Sequence, residues 1–181
     1  MRYYKLFNKD ELHYSHQYHD GLNIDKISFN PTGKCSPGGF YFFNEVQLSN
    51  YARNIYFDPV WIRQVHIPLN ALVYHEKGKS KASRLFLDHR EEFDCNNLDK
   101  YIDFTDKNIC LMSVQENAFA LRYVKEQTIE ICIAAIQKNR EAIKFVNAKF
   151  KEPCDKLLAT TVSYTISYLD AYLWEPQYGF Y

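Results

Sequence analysis

The segment from Ile109 to Val146 contains the same pattern twice, at a fixed offset of 22 residues. Ten positions match chemically: Ile109 with Ile131, Cys110 with Cys132, Val114 with Ile136, Gln115 with Gln137, Asn117 with Asn139, Ala120 with Ala142, Leu121 with Ile143, Arg122 with Lys144, Tyr123 with Phe145, and Val124 with Val146. Self-similarity at a constant period is typical of stacked repeats, in which each unit buries its apolar face against the next. The sequence therefore predicts a helical repeat of the interaction type.

Each unit is long enough for two short helices and two turns. Thr128 can cap a helix whose apolar residues have the i, i+3, i+4, i+7 spacing of one face. Those residues are Ile129, Cys132, Ile133 and Ile136. A third, degraded copy follows, in which Cys154 aligns with Cys132 and Leu158 with Ile136. We expect a longer helix at 162–173 to close the stack, and the aromatic tail at 174–181 to fold back onto the body.

Three of the five cysteines occupy equivalent repeat positions, at Cys110, Cys132 and Cys154. A free cysteine behaves as a small buried hydrophobe, so we expect these three to be buried where successive helices meet. An odd number of cysteines without a Cys-x-x-Cys pair argues against a zinc site or a disulfide framework. It indicates a reducing, intracellular compartment.

The first half of the chain reads as a β-rich domain. Strands are predicted at Tyr3–Phe7, Phe40–Phe43, Trp61–Pro68, Ala71–His75 and Ala82–Leu87, a helix at Glu45–Asn54 capped by Asn44, and turns at 30–33, 36–39 and Lys77–Ser80. The polar stretch 94–107 predicts a boundary. The fold class is therefore α+β, with a small, mostly antiparallel sheet domain at 1–94 packed on a helical repeat domain at 95–181.

Charge and hydropathy exclude several classes of function. The chain has 22 basic and 22 acidic residues, so no strong field for nucleic acid or anionic lipid is expected. The first residues lack the apolar core of a secretion signal, and no apolar stretch approaches the length of a membrane span. We therefore expect neither secretion nor a membrane partner, and nucleic acid is a disfavoured partner.

Several polar clusters allow more than one interpretation. His13, His16 and His19 could share a helical face and bind Zn²⁺ or Cu²⁺, but their aromatic and glycine neighbours favour a loop or strand. Cys35, beside a Pro-Gly-Gly turn, is either a nucleophile or a plain turn residue. A basic hairpin could contact phosphates or be a solvated turn. Its residues are Lys77, Lys79, Lys81 and Arg84. No metal or cofactor site is assigned on these patterns.

A set of short motifs loosely resembles ADP-ribosyltransferases. It consists of His19-Asp20-Gly21, then Gly38-Gly39-Phe40-Tyr41-Phe42, then Ser49-Asn50-Tyr51. The resemblance implies that His19 anchors a ribose hydroxyl, Tyr41 stacks on nicotinamide, and Glu91 or Glu92 polarises the attacked ribose. Asp20 interrupts the His-Gly pair of that family, and the simpler interpretation is a tight glycine turn with Tyr41 in the core. An enzyme of this type is the alternative hypothesis.

Two longer stretches resemble proteins of giant viruses. The repeat resembles a short helical repeat of giant viruses and some intracellular bacteria. Residues 3–90 resemble the leading domain of mimivirus-type ankyrin-repeat proteins. The matching residues are Tyr4-Lys5, Asn8-Lys9, Gln17-Tyr18, Asp20–Asn23, Phe29–Gly33, Cys35, Pro37–Phe42, Arg63–Val65, Ile67-Pro68 and Lys81-Ala82. The resemblance points to a giant virus of amoebae and to a role in host interaction, and it leaves the question of catalysis open. We expect a protein-protein interaction module, to which we assign no catalytic residue and no cofactor. It would act in the host cytoplasm or the virion on a host or viral protein, with a homodimer as a further expectation.

Overall fold

The computed structural model describes residues 1–32, 36–51 and 59–159. Its strands are β1 (Tyr3–Phe7), β2 (Leu12–His13), β3 (His16–Gln17), β4 (Gly21–Ile24), β5 (Phe40–Asn44), β6 (Trp61–His66), β7 (Val73–Glu76), β8 (Lys79–Ala82), β9 (Arg84–Leu87) and β10 (Glu91–Glu92). The main sheet has the order β4-β9-β6-β1-β5-β8-β7. The short strand β10 pairs with Trp61 and Ile62 of β6, next to the part of β6 that pairs with β9. Every described pairing is antiparallel, and β2 and β3 form a separate hairpin.

Two details of the sheet differ from the sequence prediction. The strand predicted at 82–87 is two strands, because the chain bends at Ser83, whose N–H donates to the Leu72 carbonyl at 2.9 Å. The basic turn is confined to Lys77 and Gly78, where Gly78 has a φ of 86°, a left-handed conformation that suits glycine. Lys79 therefore belongs to strand β8, and the charge of this segment is the reason that the sequence predicted a turn there.

The helices follow the sheet, apart from α1 (Glu45–Tyr51), which directly continues β5. Asn44 caps α1: its Oδ1 accepts from the Gln47 N–H and its own N–H donates to the Gln47 side chain, each at 3.0 Å. Further helices are a 3-10 turn at Leu98–Lys100, then α2 (Lys107–Glu116), a 3-10 helix at Ala118–Tyr123, α3 (Ile129–Lys138), a 3-10 helix at Arg140–Phe145, and α4 at 148–159.

The two complete repeat units have the same structure at the offset of 22 residues. In each, a ten-residue α-helix is followed by a six-residue 3-10 helix. Asp106 and Thr128 cap the α-helices, and Asn117 and Asn139 cap the 3-10 helices through their side-chain oxygens. The third helix, α4, carries Cys154 one turn further from its start. The predicted helix at 162–173 and the aromatic tail lie outside the described residues.

Each face of the sheet has its own core. One core lies between the sheet and the helices, and it joins Leu6, Phe43 and Ile62 to the helical residues. Its cysteines are buried as predicted, with exposures of 2% for Cys110 and 0% for Cys132 and Cys154. The opposite face carries Phe7, Tyr18, Phe40, Phe42, Val65, Ala82, Leu85 and Leu87. The structure is α+β, as predicted, and residues on both sides of the expected 94–95 boundary share the first core. The division into two domains at 94–95 stays a prediction.

Candidate functional site

A cleft opens where β1 and β5 separate. The two strands pair only at Tyr3 with Asn44 and at Tyr4 with Phe43. From there β1 follows β6 as far as Phe7, whereas β5 pairs with β8. The sheet therefore splits between the end of β1 and the start of β5, and side chains rather than backbone hydrogen bonds fill the gap.

The cleft is apolar in its walls and basic in its polar groups. Its volume is about 440 Å³, within the range of small-molecule sites. The apolar and aromatic wall residues are Leu6, Phe7, Leu12, Tyr18, Phe42, Phe43 and Tyr51. The polar residues are Lys5, Asn8, His13, Tyr41 and Lys79. The described residues that line the cleft include two lysines and a histidine, and neither an aspartate nor a glutamate.

Lys5 is the most unusual of these side chains. It is 7% exposed, and its Nζ donates to the carbonyl oxygen of Tyr41 at 2.8 Å, across the split in the sheet. The Nζ also lies 4.9 Å from the ring centre of Tyr18 and 5.4 Å from that of Phe7. Burial, and then the charge of Lys79, lower the pKa of Lys5 to about 7. The amine therefore gains or loses its proton near neutral pH.

Two further basic groups belong to the same cleft. The Nζ of Lys79 lies 4.1 Å from the ring centre of Tyr41, a cation–aromatic contact. Burial and the charge of Lys5 lower the pKa of His13. The cleft is thus a concave, positively charged site with aromatic walls.

Lys81 is buried as well, but it has a structural role. It is 0% exposed, and its Nζ donates to the carbonyls of Asn30 at 3.0 Å and Ser36 at 2.9 Å and to the Ser36 hydroxyl at 3.2 Å. These bonds fasten the loop before β5, where Gly38 has a φ of 90° and a Cβ would meet the Ser28 carbonyl oxygen at 2.4 Å. Lys81 therefore does not belong to a solvated turn, whereas Lys77 is exposed in the turn, and a phosphate contact of the basic cluster stays a hypothesis.

The loop that closes one side of the cleft is held by a buried ion pair that sequence reasoning missed. Arg63 and Glu11 are 4% and 5% exposed, and Nε and Nη2 of Arg63 donate to Oε1 and Oε2 of Glu11 at 2.6 and 3.0 Å. Arg63 also pairs with Asp20 and donates to the Asp88 carbonyl at 2.8 Å. Glu11 has a φ of 50°, so this contact holds a bend that non-glycine residues rarely adopt. It thereby positions Leu12 in the cleft wall.

The three histidines do not form one face of a helix. His13 and His16 pair across the β2–β3 hairpin, so that their side chains lie on the same side of it, and His19 lies outside the hairpin. The His16 ring lies 3.1 Å from Oδ1 of Asn23, and Nδ1 of His19 lies 2.8 Å from the backbone oxygen of Asp20. In the described ranges there is no group of three or more potential metal ligands. Cys35 lies outside the described residues.

The residues of the ADP-ribosyltransferase hypothesis are spread over the sheet. Tyr41 lines the cleft, and His19 is exposed at its hydrogen bond to Asp20. Glu91 and Glu92 are exposed on β10, where Glu91 forms an ion pair with Lys100 at 2.7 Å. Neither His19 nor the two glutamates is among the described residues that line the cleft of Tyr41. The structure thus does not bring these four side chains together there, and the activity stays a hypothesis.

A second concave surface, the repeat groove, lies between α1 and the 3-10 helices of the repeat. It has a volume of about 470 Å³ and is lined by Ser49, Asn50, Cys95, Leu98, Asn117, Phe119, Ala120, Arg122, Tyr123, Glu141 and Lys144. Asn117 fixes α1 beside it by donating to the Ser49 carbonyl at 2.8 Å. The Arg122 guanidinium lies 4.6 Å from the ring centre of Phe145, and the Lys144 ammonium lies 5.1 Å from that of Phe119. Arg122 and Lys144 are equivalent residues of the two units, and each contacts an aromatic ring of the other unit, so that the four side chains form one cation–aromatic stack.

Part of the chain is similar to proteins of Acanthamoeba polyphaga mimivirus. One that is named as an ankyrin repeat protein is 36% identical over 70 residues, which are 38% of this chain and 33% of the relative. An uncharacterized protein of the same virus is 37% identical over 70 residues, 38% of this chain and 48% of the relative. Another that is named for ankyrin repeats is 43% identical over 49 residues, 26% of this chain and 15% of the relative.

The matched parts span less than half of each of these relatives. No family model matches the chain, and no solved structure matches it significantly. Membership of the repeat in a known repeat family therefore stays a prediction. No helix in the described part of the chain is long and apolar enough to cross a membrane. What the comparisons establish is a partial similarity to mimivirus proteins, two of which are named for ankyrin repeats.

Proposed function

We propose that the chain is a non-enzymatic protein-binding module of a giant virus, and that its partner surface is the repeat groove. The observation that carries this proposal is the cation–aromatic stack of Arg122, Lys144, Phe119 and Phe145, in which the two cations occupy equivalent positions of two repeat units and each contacts an aromatic ring of the other unit. Arginine and aromatic side chains are enriched among the residues that dominate binding energy in protein interfaces. Stacked repeats commonly present such residues on a continuous surface.

The charges of the groove define the kind of partner. Among the described lining residues of the groove, Glu141 is the one acidic side chain, and its carboxylate lies 3.7 Å from the Lys144 ammonium. A segment that carries acidic and apolar residues complements this surface best. The mimivirus relatives that are named for ankyrin repeats support the assignment of a protein partner, from the host or the virus, in the host cytoplasm or the virion.

The experiment is a comparative capture from amoebal lysate. The wild-type chain is compared with the double variant Arg122→Ser/Lys144→Ser and with the control Lys107→Ser/Lys138→Ser, which alters lysines outside the groove lining. We expect proteins that the wild type and the control retain and the groove variant loses, with all three chains melting alike. Capture of the same proteins by the groove variant would contradict the proposal.

The same module is proposed to form a homodimer through the edge strand β4. Leu22 pairs with Phe86 of β9, and these residues and Ile24 are 45%, 45% and 47% exposed. Within the described residues β4 is the last strand of the sheet, and an apolar patch beside an edge strand is a surface on which a second copy can add strands. Light scattering on Leu22→Lys and on the wild type tests this: a wild-type monomer at high concentration would contradict it.

A further inference from the structure

We propose that the cleft between β1 and β5 binds a small monocarboxylate with an apolar or aromatic tail, whose carboxylate group pairs with the Lys5 ammonium. This ligand site is independent of the protein-binding surface proposed above. It lies in the sheet, and none of the described residues that line it also lines the repeat groove.

The first argument is the number of acceptors that Lys5 has. An ammonium group carries three donors, and the described residues offer Nζ of Lys5 one hydrogen-bond acceptor, the carbonyl of Tyr41. Lys81, in the neighbouring strand, has three acceptors within 3.2 Å. Lys5 thus keeps donors that point to a ligand in the cleft. A carboxylate, with two oxygens, can accept from these donors.

The second argument is charge. Lys79 adds a second ammonium group, and none of the described lining residues is acidic. The attraction of an anion to an ammonium group is stronger in apolar surroundings than in water. The aromatic rings of Phe7, Tyr18 and Phe42 form a wall for an apolar tail. A neutral apolar molecule would leave the remaining donors of the Lys5 ammonium unused.

The test is titration calorimetry with 4-phenylbutanoate and octanoate, each compared with its primary amide. The amides have nearly the same shape and no charge. We expect each acid to bind the wild-type chain roughly tenfold to a hundredfold more tightly than its amide, as for a charge-assisted hydrogen bond in a closed site. In Lys5→Met the acid should bind no better than the amide. The control Lys9→Met, at an exposed lysine near the end of β1, should behave as the wild type.

A pH series gives a second, independent measurement. Because Lys5 in the free chain has a pKa of about 7, the acid must bind together with a proton above that pH. Its affinity should therefore weaken by up to about tenfold for each pH unit from 7 to 9, whereas that of the amide should not change. The other titratable groups at the cleft are Lys79, His13, Tyr18, Tyr41 and Tyr51, and the lowered pKa of His13 places its titration below this range.

Three results would overturn the proposal. The first is equal affinity for acid and amide, and the second is tight binding of the acid by a folded Lys5→Met variant. The third is failure of both acids to bind the wild type at millimolar concentration. Near-ultraviolet circular dichroism of each variant confirms that its fold is retained, so that lost binding reports on the cleft. None of these results depends on the repeat groove.

Discussion

The helical repeat and the sheet make their characteristic polar contacts over very different distances along the chain. In the repeat, Asp106, Asn117 and Asn139 cap helices that start at the next residue. In the sheet, Arg63 reaches Glu11 across 52 residues, and Lys81 reaches the Asn30 carbonyl across 51. The difference suggests that the repeat is specified by local sequence, whereas the sheet depends on a few long-range charged contacts.

The largest effect should come from breaking the long-range contact at Arg63. Arg63→Met leaves the Glu11 carboxylate buried with Arg90 as its remaining cation, at 3.2 Å. We expect a loss of about 3–5 kcal/mol in the free energy of unfolding, because an unpaired charge in the interior is costly. Urea unfolding measures it. The matched control is Arg90→Met at the 51%-exposed partner, which should cost less than about 1 kcal/mol.

Equal effects of the two arginine variants would mean that the buried pair does not hold the loop at 8–20. Proteolysis of that loop is an independent measure. We expect faster cleavage near Glu11 in Arg63→Met than in Arg90→Met, because the bend at Glu11 loses the contact that holds it.

The next largest effect comes from a comparison of two buried lysines of the sheet, Lys81 and Lys5. Lys81→Met removes hydrogen bonds to Asn30 and Ser36, so the loop before β5 loses its anchor. We expect it to cost about 2–3 kcal/mol in urea unfolding, as hydrogen bonds to a charged group do. Lys5→Met should instead raise the free energy of unfolding at pH 7. Destabilisation by both substitutions would show that Lys5 is held as firmly as Lys81.

Sequence reasoning succeeded where the signal is local. The repeat units, their caps at Thr128 and their buried cysteines follow from period and residue type, because neighbours within one unit make the contacts. The helix after Asn44 and the strands β1, β5 and β6 were found for the same reason. The long-range contacts of the sheet were not predicted. Nothing near Arg63 in sequence indicates that Glu11 is its partner.

The candidate cleft was predicted least well. Tyr41 was singled out for a different reason, and Lys5 was named only as part of a resemblance. A lysine in a predicted strand is normally assigned to the solvent-exposed face of the sheet. Lys79 and Lys81 were assigned to a basic hairpin turn, also in contact with solvent. The position of Lys5 and Lys79 at the cleft follows only from the strand pairing. Because β1 pairs with β6 and β5 with β8, the sheet splits between β1 and β5. Such a split depends on the registers of four strands, which local pattern does not determine.

The pH dependence of stability separates the two regions in another way. The folded-state pKa of Lys5 is depressed, so the unfolded chain binds more protons between pH 7 and the ordinary lysine value, and stability should rise with pH there. We expect a gain of about 1–1.4 kcal/mol per unit from pH 7 to 9. The buried thiols oppose it above pH 9, because burial raises the pKa of Cys110 and Cys132 to about 11.

Urea unfolding from pH 6 to 10 measures this dependence, and Lys5→Met is its control. The variant should be flat between pH 7 and 9 and keep the decline above 9. If the free energy of unfolding of Lys5→Met still rises between pH 7 and 9, groups other than Lys5 cause the rise. The cleft and the repeat would then not differ in the pH dependence of their stability.

A smaller effect tests the contact between the two repeat units. The buried side chain of Gln127 donates to the carbonyls of Leu121 and Phe145 at 3.4 and 2.8 Å and accepts from the Asn147 N–H at 2.8 Å. Gln127→Ala should cost about 1–2 kcal/mol, because it leaves these backbone groups without partners. The control Gln137→Ala lies on the exposed side of α3 and should change stability by less than about 0.5 kcal/mol. Similar values for both would mean that the units are joined by apolar packing alone.

The smallest effect concerns the cysteines that mark the repeat. Cys132 is 0% exposed, and its Sγ lies 3.5 Å from Oε1 of Gln127. Cys132→Ser gives the new hydroxyl that same acceptor, so its burial should cost only about 1 kcal/mol in urea unfolding. If stacking buries these thiols, mass spectrometry after brief treatment with a thiol reagent should find Cys95 modified first, since it is partly exposed. Cys110, Cys132 and Cys154 should react only as the chain unfolds. Fast native-state modification of these three would show that the helices separate readily, and the repeat would then be less firmly specified than the sheet.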